Sequence, residues 1–338
     1  MKVAVTGATG FVGAHTTAAL LAAGHEVRAL VRDRSRLTRT VGALGVDLTE
    51  TVVGPMTDAG AVAELLDGCD AVVHAAAVVS LDRRHAASMA AQNPRGTALV
   101  AGGAAERGLD PIVCVSSTSA VYRPDAGPLR SDMPVADLHD GYSASKAASE
   151  REARRLQAEG APVVITYPGG ILGPAAGTAL GEASTGVAKF LSLRSIPTRG
   201  GALSIVDVRD LAATHAALVE PGLGPRRVMV GGHLVTMTEL SRLLEELTGR
   251  RCPVVPVPPA ALRLSGALAD ALRRIVPVPG PLTAEGMGIL TRWPGTDDDV
   301  EAIAGVRLRP VDETLADSLR SWVDTGLLDR RALGRLAS

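Results

Sequence analysis

KVAVTGATGFVGAH, Lys2 to His15, runs an apolar strand straight into three glycines and then into a helix-like segment. The glycines stand at Gly7, Gly10 and Gly13. Gly7 permits a tight turn off the strand, Gly10 lets an anion approach backbone N–H groups, and Gly13 lets the helix pack closely on the strand. The helix N-terminus then turns its positive dipole end toward a pyrophosphate. In a chain with 37 glycines the spacing alone says little. Its position decides the matter, because a first strand, an immediate helix and a second strand after "AAGHEV" make a βαβ unit with a dinucleotide turn.

Working outward, apolar runs alternate with helix-like runs through the first half, which predicts an α/β fold with a doubly wound parallel sheet. Strands are expected at Lys2 to Val5, Glu26 to Val31, Thr51 to Val53, Ala71 to His74, Ile112 to Ser116 and Val163 to Tyr167. Helices should begin near Phe11, Asp58, Ala86 and Tyr142. After Pro168 a loop-rich segment is expected to about Arg199, followed by a strand and helix in "GALSIVDVRDLAATHAAL" and a strand in "PRRVMVGG". Three more helices are expected: "TMTELSRLLEELTG", ended by Gly249, an Ala/Leu helix from Ala260 to Ile275, and a last one from Asp312 to Asp324.

Composition excludes several classes. The chain is 46% hydrophobic but only 2% aromatic, so Ala, Val and Leu must fill its core. A net charge of -1 implies neither a nucleic-acid partner nor an anionic membrane surface. Cys69, Cys114 and Cys252 are scattered, without a CxxC or a Cys/His cluster, which reads as a reduced cytoplasmic protein with no metal. The longest uncharged run, Ala161 to Gly181, is broken by Pro162, Pro168 and Pro174 and fails as a membrane span.

The end of the second strand bears on which dinucleotide is held. An NAD site places Asp or Glu there for the ribose 2′-OH, whereas this chain has Val31 followed by Arg32. A 2′-phosphate would be met by Arg32, assisted by Arg34, Ser35 or Arg36, so NADP(H) is favoured over NAD(H). Against this stand the reading of a solvated basic loop and an Asp33 turned to a 2′-OH.

"GYSASKAASE" holds Tyr142 and Lys146 one helical turn apart, so phenol and ammonium share a face. The pair suits proton transfer at a carbonyl or alcohol oxygen, with the phenol made acidic by its cationic neighbour and by the positive ring of an oxidised cofactor. The choice of lysine is itself informative: 3 lysines stand against 32 arginines in a total of 35. Upstream, "IVCVSSTSAVY" ends a buried strand in four hydroxyls, Ser116 to Ser119, which either satisfy local backbone or bind the substrate oxygen.

With these motifs the chain resembles the extended short-chain dehydrogenase/reductases, the NAD-dependent epimerase/dehydratase superfamily. The resemblance is carried in order by GATGFVG, HAAA (His74 to Ala77), NPRGT (Asn93 to Thr97), VSSTSAVY (Val115 to Tyr122), YSASK, YPGGILGP (Tyr167 to Pro174) and SIVDVRDLA (Ser204 to Ala212). It implies a Rossmann domain over residues 1-168, rejoined by 204-231, and a smaller discontinuous substrate domain over 169-203 and 232-338. Tyr142 would be the general acid/base, Lys146 its electrostatic partner and ribose ligand, and Thr118 the carbonyl-binding hydroxyl, with Ser117 taking that place if the register slips by one. The cofactor would lie on Gly7, Thr9, Gly10, Phe11, Val12, Gly13, Arg32, Ser35, Ala75, Ala76, Tyr142, Lys146, Pro168 and Ile171. The resemblance also implies a homodimer through helices at Asn93 to Arg107 and Tyr142 to Ala158.

Departures narrow the branch. Pro55 replaces the usual acid at the adenine edge, Tyr167 and Gly170 remove two polar residues of the nucleotide-sugar enzymes, and Ser119 and Ala120 replace the dehydratases' acidic pair. What remains is similar to dihydroflavonol reductases and 3-hydroxysteroid dehydrogenases. The expected activity is hydride transfer between nicotinamide and a carbonyl or secondary alcohol of a fairly hydrophobic small molecule, with Phe190, Leu191 and the helix after Pro259 as an apolar wall. The alternatives are a sugar epimerase and a non-catalytic redox sensor. His74 reads as packed or capping, Asp297 to Asp299 as the N-cap of a short helix, Asp207 and Asp210 as a structural brace, Asn93 as structural, and Trp293 and Trp322 as core.

Overall fold

The computed structural model describes residues 1–80, 83–124, 127–137, 141–273 and 283–337. Among the described residues, ten strands form two sheets: β1 (Lys2–Thr6), β2 (Glu26–Val31), β3 (Thr51–Val53), β4 (Ala71–His74), β5 (Ile112–Val115), β6 (Val163–Pro168), β7 (Gly170–Leu172), β8 (Ala202–Asp207), β9 (Arg226–Val230) and β10 (His233–Thr236). The larger sheet runs β3-β2-β1-β4-β5-β6-β9, parallel throughout. Its order reverses between β1 and β4, the switch point of a Rossmann-type sheet, where a crevice opens at the carboxyl edge.

Successive side chains of a strand face opposite ways, and both faces of this sheet are buried. Val3 and Val5 of β1 enter a core with Leu20 and Val206, whereas Ala4 enters a second core with Leu65, Val100 and Ile112. The first face is covered by the helices Phe11–Ala22 and Val208–Ala217, the second by Ala59–Leu66 and Gly141–Ala158. The smaller sheet, β10-β8-β7, belongs to a third core with Leu240, Leu244, Leu315 and Trp322, which bears out the expectation that Trp322 is core. The helix Met237–Thr248 supplies part of that core and is fixed by a Thr236/Glu239 capping box and a left-handed Gly249.

Several boundaries differ from the sequence reading. The segment expected to be loop contains β7 and the helix Glu182–Leu193, whose amphipathic stripe buries Val187 and Leu191. Of the expected apolar wall, Leu191 is packed in the third core, and Phe190 packs partly against the same core. β8, expected to rejoin the Rossmann part, pairs with β7 and antiparallel with β10; the return to the large sheet begins with helix Val208–Ala217 and β9. The helix after Pro259 spans Pro259–Leu272, with Leu264, Leu268 and Leu272 exposed; its expected end at Ile275 lies outside the described residues. No helix among the described residues is long and apolar enough to cross a membrane.

Candidate active site

The glycine turn sits at the carboxyl end of β1. Gly7 has φ +82°, the left-handed region, and a Cβ there would lie 2.7 Å from the Ala76 nitrogen. A Cβ at Gly13 would lie 2.2 Å from the Gly7 carbonyl oxygen, so helix and turn can meet only without side chains. The Gly10 N–H closes the turn on the Gly7 carbonyl at 2.8 Å. Helix Phe11–Ala22 begins at Gly10 with no side-chain cap and no acid in its first turn. Its leading N–H groups are thus left for an anion, and the cradle fits a dinucleotide pyrophosphate. Thr9 and Val12 are half-buried at this turn, Phe11 is buried, and Ala75 and Ala76 follow β4 against Gly7, with the Ala76 N–H donating to Thr6 Oγ1 at 3.2 Å.

At the end of β2 the basic segment is a helix, Arg34–Gly42, and not a loop. Asp33 is its N-cap: one carboxylate oxygen accepts from the Ser35 N–H and Ser35 Oγ, both at 2.8 Å, and from the Arg36 N–H at 3.3 Å. These bonds, the Ser35 hydroxyl foremost, hold its carboxyl below the usual range. Asp33 is therefore committed to the helix, while Arg32 stays exposed beside it.

Tyr142 and Lys146 lie in the first two turns of helix Gly141–Ala158. The Ser117 hydroxyl lies near enough to the Tyr142 phenol to lower its pKa. Ser117 caps the short turn after β5, accepting from the Ser119 N–H at 3.1 Å, which leaves its own O–H as a donor. Thr118, placed first by alignment, instead donates to the Pro168 carbonyl at 3.1 Å and is 2% exposed. The Thr118 hydroxyl is thus engaged by backbone, whereas the Ser117 O–H is not. Pro168 ends β6, and Ile171 follows, half-buried in β7.

The electrostatics also differ from expectation. Burial pushes the Tyr142 phenol up to about 12, the Ser117 hydroxyl pulls against it, and the carboxylates of Glu285 and Glu182 push further up. Lys146 Nζ donates to the Val115 carbonyl at 3.1 Å, and burial pushes it down to about 8. The phenol is consequently a protonated acid at neutral pH. Glu285, which no sequence signal marks, reaches from helix Ala284–Thr291 to accept from the Tyr142 N–H at 3.1 Å, the Ser143 N–H at 2.7 Å and Ser143 Oγ at 2.5 Å. It caps the helix that carries the tyrosine from 143 residues away in the chain, and Gly141, at φ +80°, leaves room for it.

His74 is buried and neutral, pushed down to about 3 by burial, between Thr6 Oγ1 at 2.8 Å and Thr97 Oγ1 at 3.4 Å. Asn93 spends both ends of its amide on Val78 and donates also to Ser145 Oγ at 3.0 Å, a structural tie. Asp207 and Asp210 form ion pairs with Arg209 and Arg309, each closest at 2.8 Å, joining the two parts as a brace. The acidic run does not cap helix Val300–Ala304, whose N-cap Asp299 makes no side-chain cap bond. Asp299 accepts from the Met229 N–H at 2.7 Å, and Asp298 from Gly231 and Gly232, because the end of β9 exposes unpaired donors. Trp293 gains partners that composition did not suggest: it stacks on Tyr122 and donates to Ser204 Oγ at 2.8 Å. Among the described residues no group of three or more His, Cys, Asp or Glu is placed to hold a metal ion.

The chain is similar to several known proteins. Residues 3–231 match the NAD dependent epimerase/dehydratase family. The chain is 30% identical over 278 residues to sterol demethylase protein B of Methylococcus capsulatus, covering 81% of this chain and 83% of that protein. It is 31% identical over 263 residues to a putative dihydroflavonol 4-reductase of Synechocystis, covering 75% and 74%. The crystal structure of gox2253 superposes with a TM-score of 0.78 at 25% identity, covering 97% of this chain and 99% of that one.

Proposed function

The chain belongs to the NAD-dependent epimerase/dehydratase family and is an NAD(P)-dependent enzyme of the extended short-chain dehydrogenase/reductase type; from that footing we propose that it is an NADPH-dependent reductase of a carbonyl on a fairly hydrophobic small molecule. The observation that carries this reading is the buried, protonated Tyr142 phenol, near the Ser117 hydroxyl and one turn from Lys146, at the sheet edge where the glycine cradle opens. A bound nicotinamide dinucleotide supplies the hydride. The Ser117 O–H polarises the substrate carbonyl, and the Tyr142 phenol gives its proton to the oxygen as negative charge develops there. Lys146 lies on the same helix face and stabilises the phenolate left behind. Gly7, Gly10 and the first turn of helix Phe11–Ala22 hold the pyrophosphate.

Substituting the two hydroxyls separately tests the assignment. Ser117→Ala is expected to lower kcat/KM by roughly 100-fold, the scale of removing one aligned oxyanion donor. Thr118→Val should act mainly on stability, by about 1 to 3 kcal/mol, because it orphans the Pro168 carbonyl. If Thr118→Val were the more damaging to kcat, the roles would be exchanged.

Cofactor choice rests on Arg32 and Ser35 beside the engaged Asp33. A charge-assisted contact contributes about 1.5 to 3 kcal/mol. Arg32→Ala should accordingly raise the KM for NADPH roughly tenfold to a hundredfold and leave that for NADH nearly unchanged. Equal losses for both cofactors would remove the case for a 2′-phosphate site.

A further inference from the structure

Beside Lys146 lies a small, partly open cavity of about 20 Å³, walled by His74, Asn93, Cys114, Ser116, Lys146 and Glu150 among others. Two of its polar atoms, Ser116 Oγ and Glu150 Oε2, are buried without a hydrogen-bond partner. Such atoms cost about 1 to 3 kcal/mol each if left unsatisfied. One water needs roughly 10 to 15 Å³ and two to four polar partners, which this cavity offers.

Glu150 is placed with unusual care. It is 1% exposed and stands one turn beyond Lys146 on the same helix face. Its Oε1 takes both available donors, Tyr167 Oη at 2.5 Å and Arg154 Nε at 2.7 Å, and Arg154 also donates to Tyr167 Oη at 2.9 Å. That leaves Oε2 uncommitted. Lys146 spends one of its three N–H groups on Val115.

We propose that Glu150 is a positioning residue for the reaction: through one fixed water shared with Ser116, it holds Lys146 in the ammonium form that the phenolate of Tyr142 requires. The proposal rests on the reductase reading for its purpose, but the charge on Lys146 can be read without turnover. Every other titratable group around the cavity is unfit for the task. His74 from β4 is neutral at about 3, Cys114 from β5 is a thiol pushed up to about 12, and burial pushes the Tyr167 phenol from β6 up. Arg154, on Glu150's own helix, has the wrong sign and is bound to Oε1. After burial, Glu150 is the largest influence on Lys146, and it acts upward against the burial.

With 3 lysines in the chain, lysine labelled with carbon-13 and nitrogen-15 lets Lys146 be followed directly by NMR, assigned through the loss of its signal in Lys146→Arg. Lys146 should titrate near 8 in the intact protein and at least one pH unit lower in Glu150→Gln, a tenfold loss of ammonium relative to amine at fixed pH. The alkaline limb of kcat should move down by the same amount, which a merely structural role would not produce. An unchanged Lys146 titration in a folded Glu150→Gln protein overturns the proposal. Should that variant not fold, Ser116→Ala keeps the carboxylate and removes one partner of the water; a downward shift supports the proposal and no shift overturns it. A high-resolution crystal structure gives an independent answer: a water bonded to both Lys146 Nζ and Glu150 Oε2 supports it, and a dry cavity sinks it. Failure of the reductase reading would appear elsewhere, as turnover surviving Tyr142→Phe.

Discussion

Tyr142→Phe is expected to reduce kcat with a ketone substrate by roughly 100- to 10,000-fold while leaving the dissociation constant for NADPH within about threefold, the range in which a positioned proton donor acts. The variant keeps the ring, its packing and the helix cap from Glu285, because the Tyr142 and Ser143 backbone N–H groups that reach Glu285 are untouched. Only the O–H is lost. Its removal leaves the developing alkoxide without an acid. Since burial holds the phenol up at about 12, the wild-type group is fully protonated through the neutral range, so the loss should be the same at pH 6 and pH 7. Cofactor binding is read by fluorescence quenching and turnover by cofactor oxidation. A variant within tenfold of wild type would assign the proton to another donor. If no turnover is found in either protein while cofactor binding and a biological effect persist in both, the redox-sensor alternative prevails.

The site divides into what short-range sequence patterns encode and what only the folded chain brings together. The cradle was legible because all of its constraints lie within Gly7 to Gly13 and act on backbone geometry that only glycine satisfies. Tyr142 and Lys146 were legible because helical spacing guarantees a shared face. Glu150 was within reach of the same spacing argument, four residues after Lys146, yet an acid on a helix rich in charge carries no mark of burial. Glu285 had no signal at all, since its partners are 143 residues away and its helix follows a segment without periodicity. The reading that favours Ser117 over Thr118 rests on a single carbonyl, Pro168, that engages the threonine hydroxyl. Motif alignment cannot see such a competitor. The acidic run Asp297 to Asp299 failed as a cap for the same reason: unpaired N–H groups at the end of β9 outbid the helix beside it.

Acid should destabilise this protein well before its carboxylates are protonated. His74 and His215 are 5% and 0% exposed, and burial pushes both down to about 3 in the folded chain. His215 is held between Thr16 Oγ1 at 2.8 Å and Thr166 Oγ1 at 3.1 Å, and burial is the cause of its shift. In the unfolded chain both titrate near about 6.5. The folded values are depressed, so below about 6.5 the unfolded state binds more protons, and stability present above that pH is lost as it falls. Each group contributes about 1.4 kcal/mol per pH unit in that window. Together they should remove about 4 kcal/mol between pH 7.5 and pH 5, against a total of about 5 to 15 kcal/mol for a typical fold. His15, also pushed down by burial, adds to the same slope. Asp207, held below the usual carboxylate range once its Arg209 bonds outweigh burial, contributes only at lower pH. Asp298, raised by burial, acts in the opposite sense. Urea unfolding midpoints at pH 7.5, 6.5, 5.8 and 5.0 should fall steeply through this series, and His215→Gln should be less stable at pH 7.5 yet show about half the dependence. A stability curve flat from pH 7.5 to 5 would mean that the two imidazoles accept protons without leaving the core, and that their threonine partners tolerate the charged ring.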